Sequence, residues 1–141
     1  MTSLTLNFFD SLAFFDTLGE HQYQQKIAVT IKDKPAEKKA ILCFRCHHII
    51  TYPEEALSVL GKFEHQFSNP LDINYRFGTY RNAPGCLLAG EETQQHTWFA
   101  GYLWNIALCG KCGIHLGWRF RHEADVFFAL IFSSLISPKP D

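Results

Sequence analysis

From Ala40 onward, apolar and polar positions alternate in short runs broken by turn signals, the period-two pattern of half-buried β-strands. Strand signals surround the cysteine pair within Ile41 to Tyr52 and recur over Ile73 to Tyr80, Trp98 to Leu108 and Ile114 to Arg121. Asn69-Pro70 and Ala83-Pro84-Gly85 mark turns between them, because proline fixes φ and glycine permits positive φ. Asp125 to Leu135 fits a strand or a helix. The beginning of the chain has another period. Phe8, Phe9, Leu12, Phe14, Phe15 and Leu18 recur at helical spacing up to Gly19, which predicts a short amphipathic helix or helical hairpin. Ile27 to Ile31 alternates as a strand would, and the polar, proline-containing run Lys32 to Lys39 reads as a linker. The pattern predicts an N-terminal extension over residues 1–40 followed by a mainly β domain.

Composition narrows the function. Of 141 residues, 47% are apolar and 19% charged, which suits one packed core and not a disordered chain. Thirteen basic residues against fourteen acidic ones leave a net charge of -1, without the basic excess that neutralises phosphates or holds an anionic membrane surface. No run approaches the roughly 20 apolar residues of a membrane span. Met1 to Leu18 lacks the Lys or Arg that heads a secretory signal, so the expected compartment is the cytoplasm.

Five cysteines are present, and an odd number in such a chain argues against a disulfide framework. Four form two pairs of Cys-x-x-Cys spacing, Cys43 with Cys46 and Cys109 with Cys112; Cys86 stands alone. Two residues between cysteines let a tight turn aim both thiolates at one ion, and two such turns complete a tetrahedral zinc site. Gly110 and Gly113 suit the second turn. Four sulfur donors leave no open position, so the expected Zn²⁺ is structural. A redox pair would want one such motif at a helix start in a βαβ setting, which is absent. His47, His48 and His115 flank the turns and fit packing or outer contacts better than ligation.

The aromatic share is high, 15%, and all three tryptophans lie close together as Trp98, Trp104 and Trp118. Trp118 and Phe120 are two apart and would share one face of a strand. Three indoles can build a box for a compact ring or a cation, although tryptophan also fills cores.

The stretch His96-Thr-Trp-Phe-Ala-Gly-Tyr-Leu-Trp104, then Cys109-Gly-Lys-Cys112, then His115-Leu-Gly-Trp-Arg-Phe120 resembles the signature of the CULT domain family, the thalidomide-binding domain of cereblon-type proteins. Asn69-Pro70 matches that family's Asn-Pro turn, and Phe127 to Pro138 resembles its closing segment, so the likeness covers about residues 41–138. It implies a β-tent, two antiparallel sheets pinned by zinc. It also implies a three-walled cage of Trp98, Trp104 and Trp118 over Phe120. The ligands implied are cyclic imides: the glutarimide ring of thalidomide-type drugs and imides formed at protein ends. In that scheme the imide N–H donates to the carbonyl of His96, and the imide oxygens accept from the backbone N–H of Trp98 and the His96 side chain. Thr97 lies between these contacts, and Asn69 and Pro70 border the mouth. Where the family commonly has a glycine-containing turn after Asn-Pro, this chain reads Leu71-Asp72. The resemblance is to a single-domain protein of bacterial type, with no ubiquitin-ligase adaptor role expected.

The segment Cys109 to Phe120 is also similar to the zinc-binding part of the B-type methionine sulfoxide reductases, a family with the tent fold and two such knuckles. That enzyme family places its nucleophilic cysteine after the second knuckle, and no cysteine follows Cys112 here. Cys86 matches no such motif, so binding is expected and catalysis is not. A further alternative is a cage reading a cationic modified side chain, for which Glu91 and Glu92, expected on a solvated loop, are the nearby carboxylates.

Overall fold

The structure, a computed structural model, describes residues 39–139. The helical reading near Phe8 to Leu18, the Ile27 to Ile31 strand and nearly all of the expected extension lie outside the described residues. Within them the chain forms β1 (Ile41–Cys43), β2 (Ile49–Thr51), β3 (Glu64–Ser68), β4 (Asn74–Tyr80), β5 (Cys86–Thr93), β6 (Leu103–Cys109), β7 (His115–His122), β8 (Asp125–Ile131) and β9 (Leu135–Ile136). Short 3-10 turns follow β2 and β8, at Pro53–Glu55 and Phe132–Ser134. Two antiparallel sheets result, a small one in the order β2-β1-β9 and a six-stranded one in the order β3-β4-β8-β7-β6-β5.

The ambiguous run Asp125 to Leu135 resolves as β8, a turn and β9. Its apolar character reflects burial on both faces. Phe127, Ala129 and Ile131 join one core cluster, with Phe77, Phe99, Trp118 and Phe120, while Leu130 joins the other and Phe128 packs against it. That other cluster couples Ile41, Cys43, Ile50 and Leu135 of the small sheet to Tyr80, Cys109 and Leu116 of the large one. Strands of two and three residues cannot stand alone, so the small sheet depends on this contact.

Three sequence expectations change. The strand expected from Trp98 starts only at Leu103, because residues 94–102 form a loop in which Thr97 N–H donates to Gln94 O, Tyr102 N–H donates to Phe99 O and Gly101 takes φ +86°. Glu91 and Glu92 belong to β5 rather than a loop. Gly90, at φ +79° beside a register shift, interrupts the alternation that would have revealed that strand. β3 is also new, its alternation being only five residues long.

His65 on β3 is buried at 2% exposure among Phe67, Phe77 and Phe99, with Nε2 3.0 Å from the carbonyl of Lys62. Burial holds its imidazole below the ordinary value of 6.5. The folded state therefore favours the neutral ring, and the unfolded chain binds the proton more readily. This contribution is complete above the unfolded pKa near 6.5 and is lost as pH falls through the folded value. Wild type should lose more stability between pH 7.5 and 5.5 than His65→Phe does, as read by denaturant midpoints; equal slopes would remove His65 from the account.

Candidate functional site

Each cysteine knuckle follows a strand of a different sheet. Cys43 ends β1 of the small sheet, Cys109 ends β6 of the large one, and both are fully buried. The two turns repeat one geometry. His47 N–H donates to Cys43 O and Gly113 N–H donates to Cys109 O, each at 2.9 Å, and Cys43 and Cys109 in turn donate to the carbonyls of His48 and Ile114. The fourth residue after each first cysteine is left-handed, His47 at φ +64° and Gly113 at φ +79°. The amides of Lys111 and Cys112 point at the Cys109 sulfur, at 3.4 and 3.5 Å.

The four sulfurs converge. Cys43 and Cys112 Sγ are 3.7 Å apart, Cys46 and Cys109 Sγ 3.5 Å apart, and all four lie within 4.8 Å of one another. A tetrahedron with metal–sulfur bonds of ~2.3 Å has edges of about 3.8 Å, so these donors fit one metal ion and are consistent with zinc. Burial raises the Cys43 thiol and pushes Cys109 up to about 12. A divalent cation is the charge that would reverse this and hold four thiolates together.

The tryptophans meet beyond the knuckles. Cross-strand register places Trp104 opposite Phe120 and Ile106 opposite Trp118, on one face of β6 and β7. Trp98 arrives from the loop before β6, its ring 4.8 Å from Trp118 at 77°. Their outer edges are tied down: Trp98 Nε1 donates to Ser68 O at 3.1 Å, and Trp104 Nε1 donates to Gln95 O at 2.9 Å. These walls enclose a cavity of about 300 Å³, with Phe120 in the lining and Asn69, Pro70 and His96 also contributing. Asn69 holds its own turn: its Oδ1 accepts from the amides of Leu71 and Ile73, and Asp72 fills the left-handed position at φ +63°.

Of the expected ligand residues, Thr97 alone is not among those lining the cavity. Its hydroxyl faces the loop, donating to Phe99 O at 3.3 Å and accepting from Phe99 N–H at 3.5 Å. Sequence reasoning missed Tyr75, Ile106 and His115 as lining residues. Ile106 was readable as Trp104 plus two. Tyr75 and His115 come from separate strands and meet Trp118 edge-on at 5.0 Å each, which no local pattern announces. His115 Nε2 lies 2.9 Å from Gly117 O, and burial lowers its pKa, so the ring is neutral near pH 7. None of the lining residues is an Asp, Glu, Lys or Arg.

The acidic candidates lie elsewhere. Glu92 is gripped by Arg121 through two bonds of 2.7 and 2.9 Å, which lower its carboxyl pKa. Cys86 opposes Cys109 across the β5–β6 ladder, at the metal end, and does not line the cage. Among the described residues no helix is long and apolar enough to cross a membrane.

A mainly β domain of two antiparallel sheets, joined by a four-cysteine metal site and carrying an uncharged aromatic cage, defines the class. No family model matches the chain. Cereblon from Gallus gallus is 34% identical over 110 residues, 72% of this chain and 24% of that protein. Cereblon from Danio rerio is 33% identical over 84 residues (57% and 19%), and that from Drosophila willistoni 31% over 120 residues (79% and 19%). The chain carries a cereblon-like CULT domain. It spans a quarter or less of the length of these relatives.

Proposed function

We propose that the domain is a zinc-stabilised binding module whose tryptophan cage takes a cyclic imide, either a glutarimide-type small molecule or an imide at a protein end. The observation that carries this reading is the uncharged, largely aromatic lining of the cavity, with a few polar groups among it. An ionic ligand would lose its hydration there without compensation, whereas a flat neutral ring gains apolar contact on several sides. Among the described residues the carbonyl of His96 and the amide of Trp98 have no backbone partner, which leaves an acceptor and a donor on two lining residues, suited to an imide edge. The metal, taken as Zn²⁺ with four sulfur donors, is structural in this reading.

Binding is favoured over thiol catalysis by the position of Cys86, away from the cage. A cationic modified side chain is disfavoured because Glu92 already neutralises Arg121. Calorimetric titration of the metal-loaded protein with glutarimide should show binding that Trp104→Ala weakens by roughly 30-fold or more, the loss of a central aromatic anchor. Trp104 is partly buried and packs against the cluster that holds Phe120, so the variant's melting temperature and metal content are read beside the titration. Failure of glutarimide and succinimide to bind at millimolar concentration overturns the reading. Methionine sulfoxide turnover abolished by Cys86→Ser would establish the enzymatic alternative.

A further inference from the structure

A second cavity, of about 390 Å³, lies between the turn over Leu57–Leu60 and the start of β8. Its floor is apolar: Phe99 and Phe127 are 2% and 1% exposed and pack edge-on at 5.0 Å. Only one charged side chain lines it, Asp125, whose carboxylate accepts a hydrogen bond from the Tyr102 hydroxyl. Glu123 sits two residues earlier in the β7–β8 turn, and the guanidinium that could offset this charge, Arg121, is committed to Glu92. The opposite lip is Leu60, 80% exposed and held at φ +52° in a two-residue turn closed by reciprocal bonds between Val59 and Lys62. Leu60 and Gly61 both take the positive φ that a two-residue hairpin turn requires, which sets the leucine out at the tip.

We propose that this cavity is a second binding site, separate from the cage, for a primary ammonium group carried on an apolar stem, such as a lysine side chain or a small aralkyl amine. The stem would lie on Phe99 and Phe127 beneath Leu60, and the ammonium would donate to the Asp125 oxygen left free by Tyr102. A neutral head group would forgo the charge-assisted bond to this exposed carboxylate, and an anionic one would be repelled by it. A merely structural Tyr102–Asp125 latch would account for the hydrogen bond, but not for an apolar cavity beside it with an exposed leucine at its lip.

The test is NMR titration of the full, metal-loaded chain, following Tyr102 ring and Leu60 methyl resonances. Benzylamine, benzyl alcohol and Nα-acetyl-lysine amide are the probes, each added up to about 10 mM. Benzylamine or the lysine amide should shift these resonances, and benzyl alcohol should bind about tenfold more weakly. Asp125→Asn, which keeps an acceptor for Tyr102, should erase that preference, and saturating glutarimide should not displace the amine. Binding by the lysine amide assigns the site to a protein segment, and binding by benzylamine alone assigns it to small amines. No shift from either amine, equal affinity in Asp125→Asn, or displacement by glutarimide overturns the proposal. Leu60→Gly, whose glycine suits φ +52°, gives a second arm: it should weaken both amines without lowering the melting temperature.

Discussion

Replacing Cys109 with serine, or stripping the metal with a chelator, should unfold most of the domain at room temperature. Cys109 is buried in the core cluster that joins the two sheets, and its partner Cys43 ends the central strand of the small one. Without a metal, nothing offsets the burial that raises the Cys43 thiol and pushes Cys109 up to about 12. The small sheet then keeps only strands of three, three and two residues and an interface that includes the orphaned thiols. Structural zinc sites contribute on the order of 10 kcal/mol to folding, comparable to the whole stability of a small domain. Circular dichroism melts with and without chelator, with metal content measured on the same samples, would read the loss. Restoring Zn²⁺ should restore the transition. Cys86→Ser serves as the control and should keep one metal per chain. A melting temperature unchanged after the metal is gone would show that the apolar cluster alone suffices.

Legibility in the sequence followed locality. The knuckles could be read because two-residue spacing constrains a turn within itself, and the repeated His47 and Gly113 geometry completes that local device. Trp118 and Phe120 could be read because a strand has period two. Tyr75 and His115 could not, since they reach Trp118 only through the order β4-β8-β7 and the turn of the chain after Cys112. Glu92 was misplaced for a related reason. Its strand is broken by Gly90, and the Arg121 that engages it lies 29 residues further on. Thr97 shows the limit of a motif. The His-x-Trp pattern identifies the loop, yet the middle residue's hydroxyl is spent on closing that loop, so motif membership does not place a side chain in the cavity.

Gly117→Ala should cost about 3 kcal/mol or more and remove cage binding with it. Gly117 sits on β7 opposite Leu130 of β8 and Ala107 of β6, in the middle of the large sheet. A methyl group there would overlap the Ala129 carbonyl oxygen and lie 2.9 Å from its carbon and 3.0 Å from Leu130 Cα. These are backbone atoms of a strand held on both sides, so neither can step aside as a flexible side chain would. The methyl must push β7 and β8 apart. Trp118 and Phe120 follow immediately on β7, and their ring positions depend on the same ladder. Gly113→Ala is the matching comparison. Its φ of +79° also disfavours alanine, but its added methyl meets nothing within 4 Å. That variant should lose only the roughly 1 kcal/mol of backbone preference, with glutarimide affinity kept. Denaturant midpoints for the two variants, read beside glutarimide titrations, separate close approach from backbone strain. Equal destabilisation of both would mean that β7 and β8 can yield at Gly117, and that the cage wall does not depend on their contact.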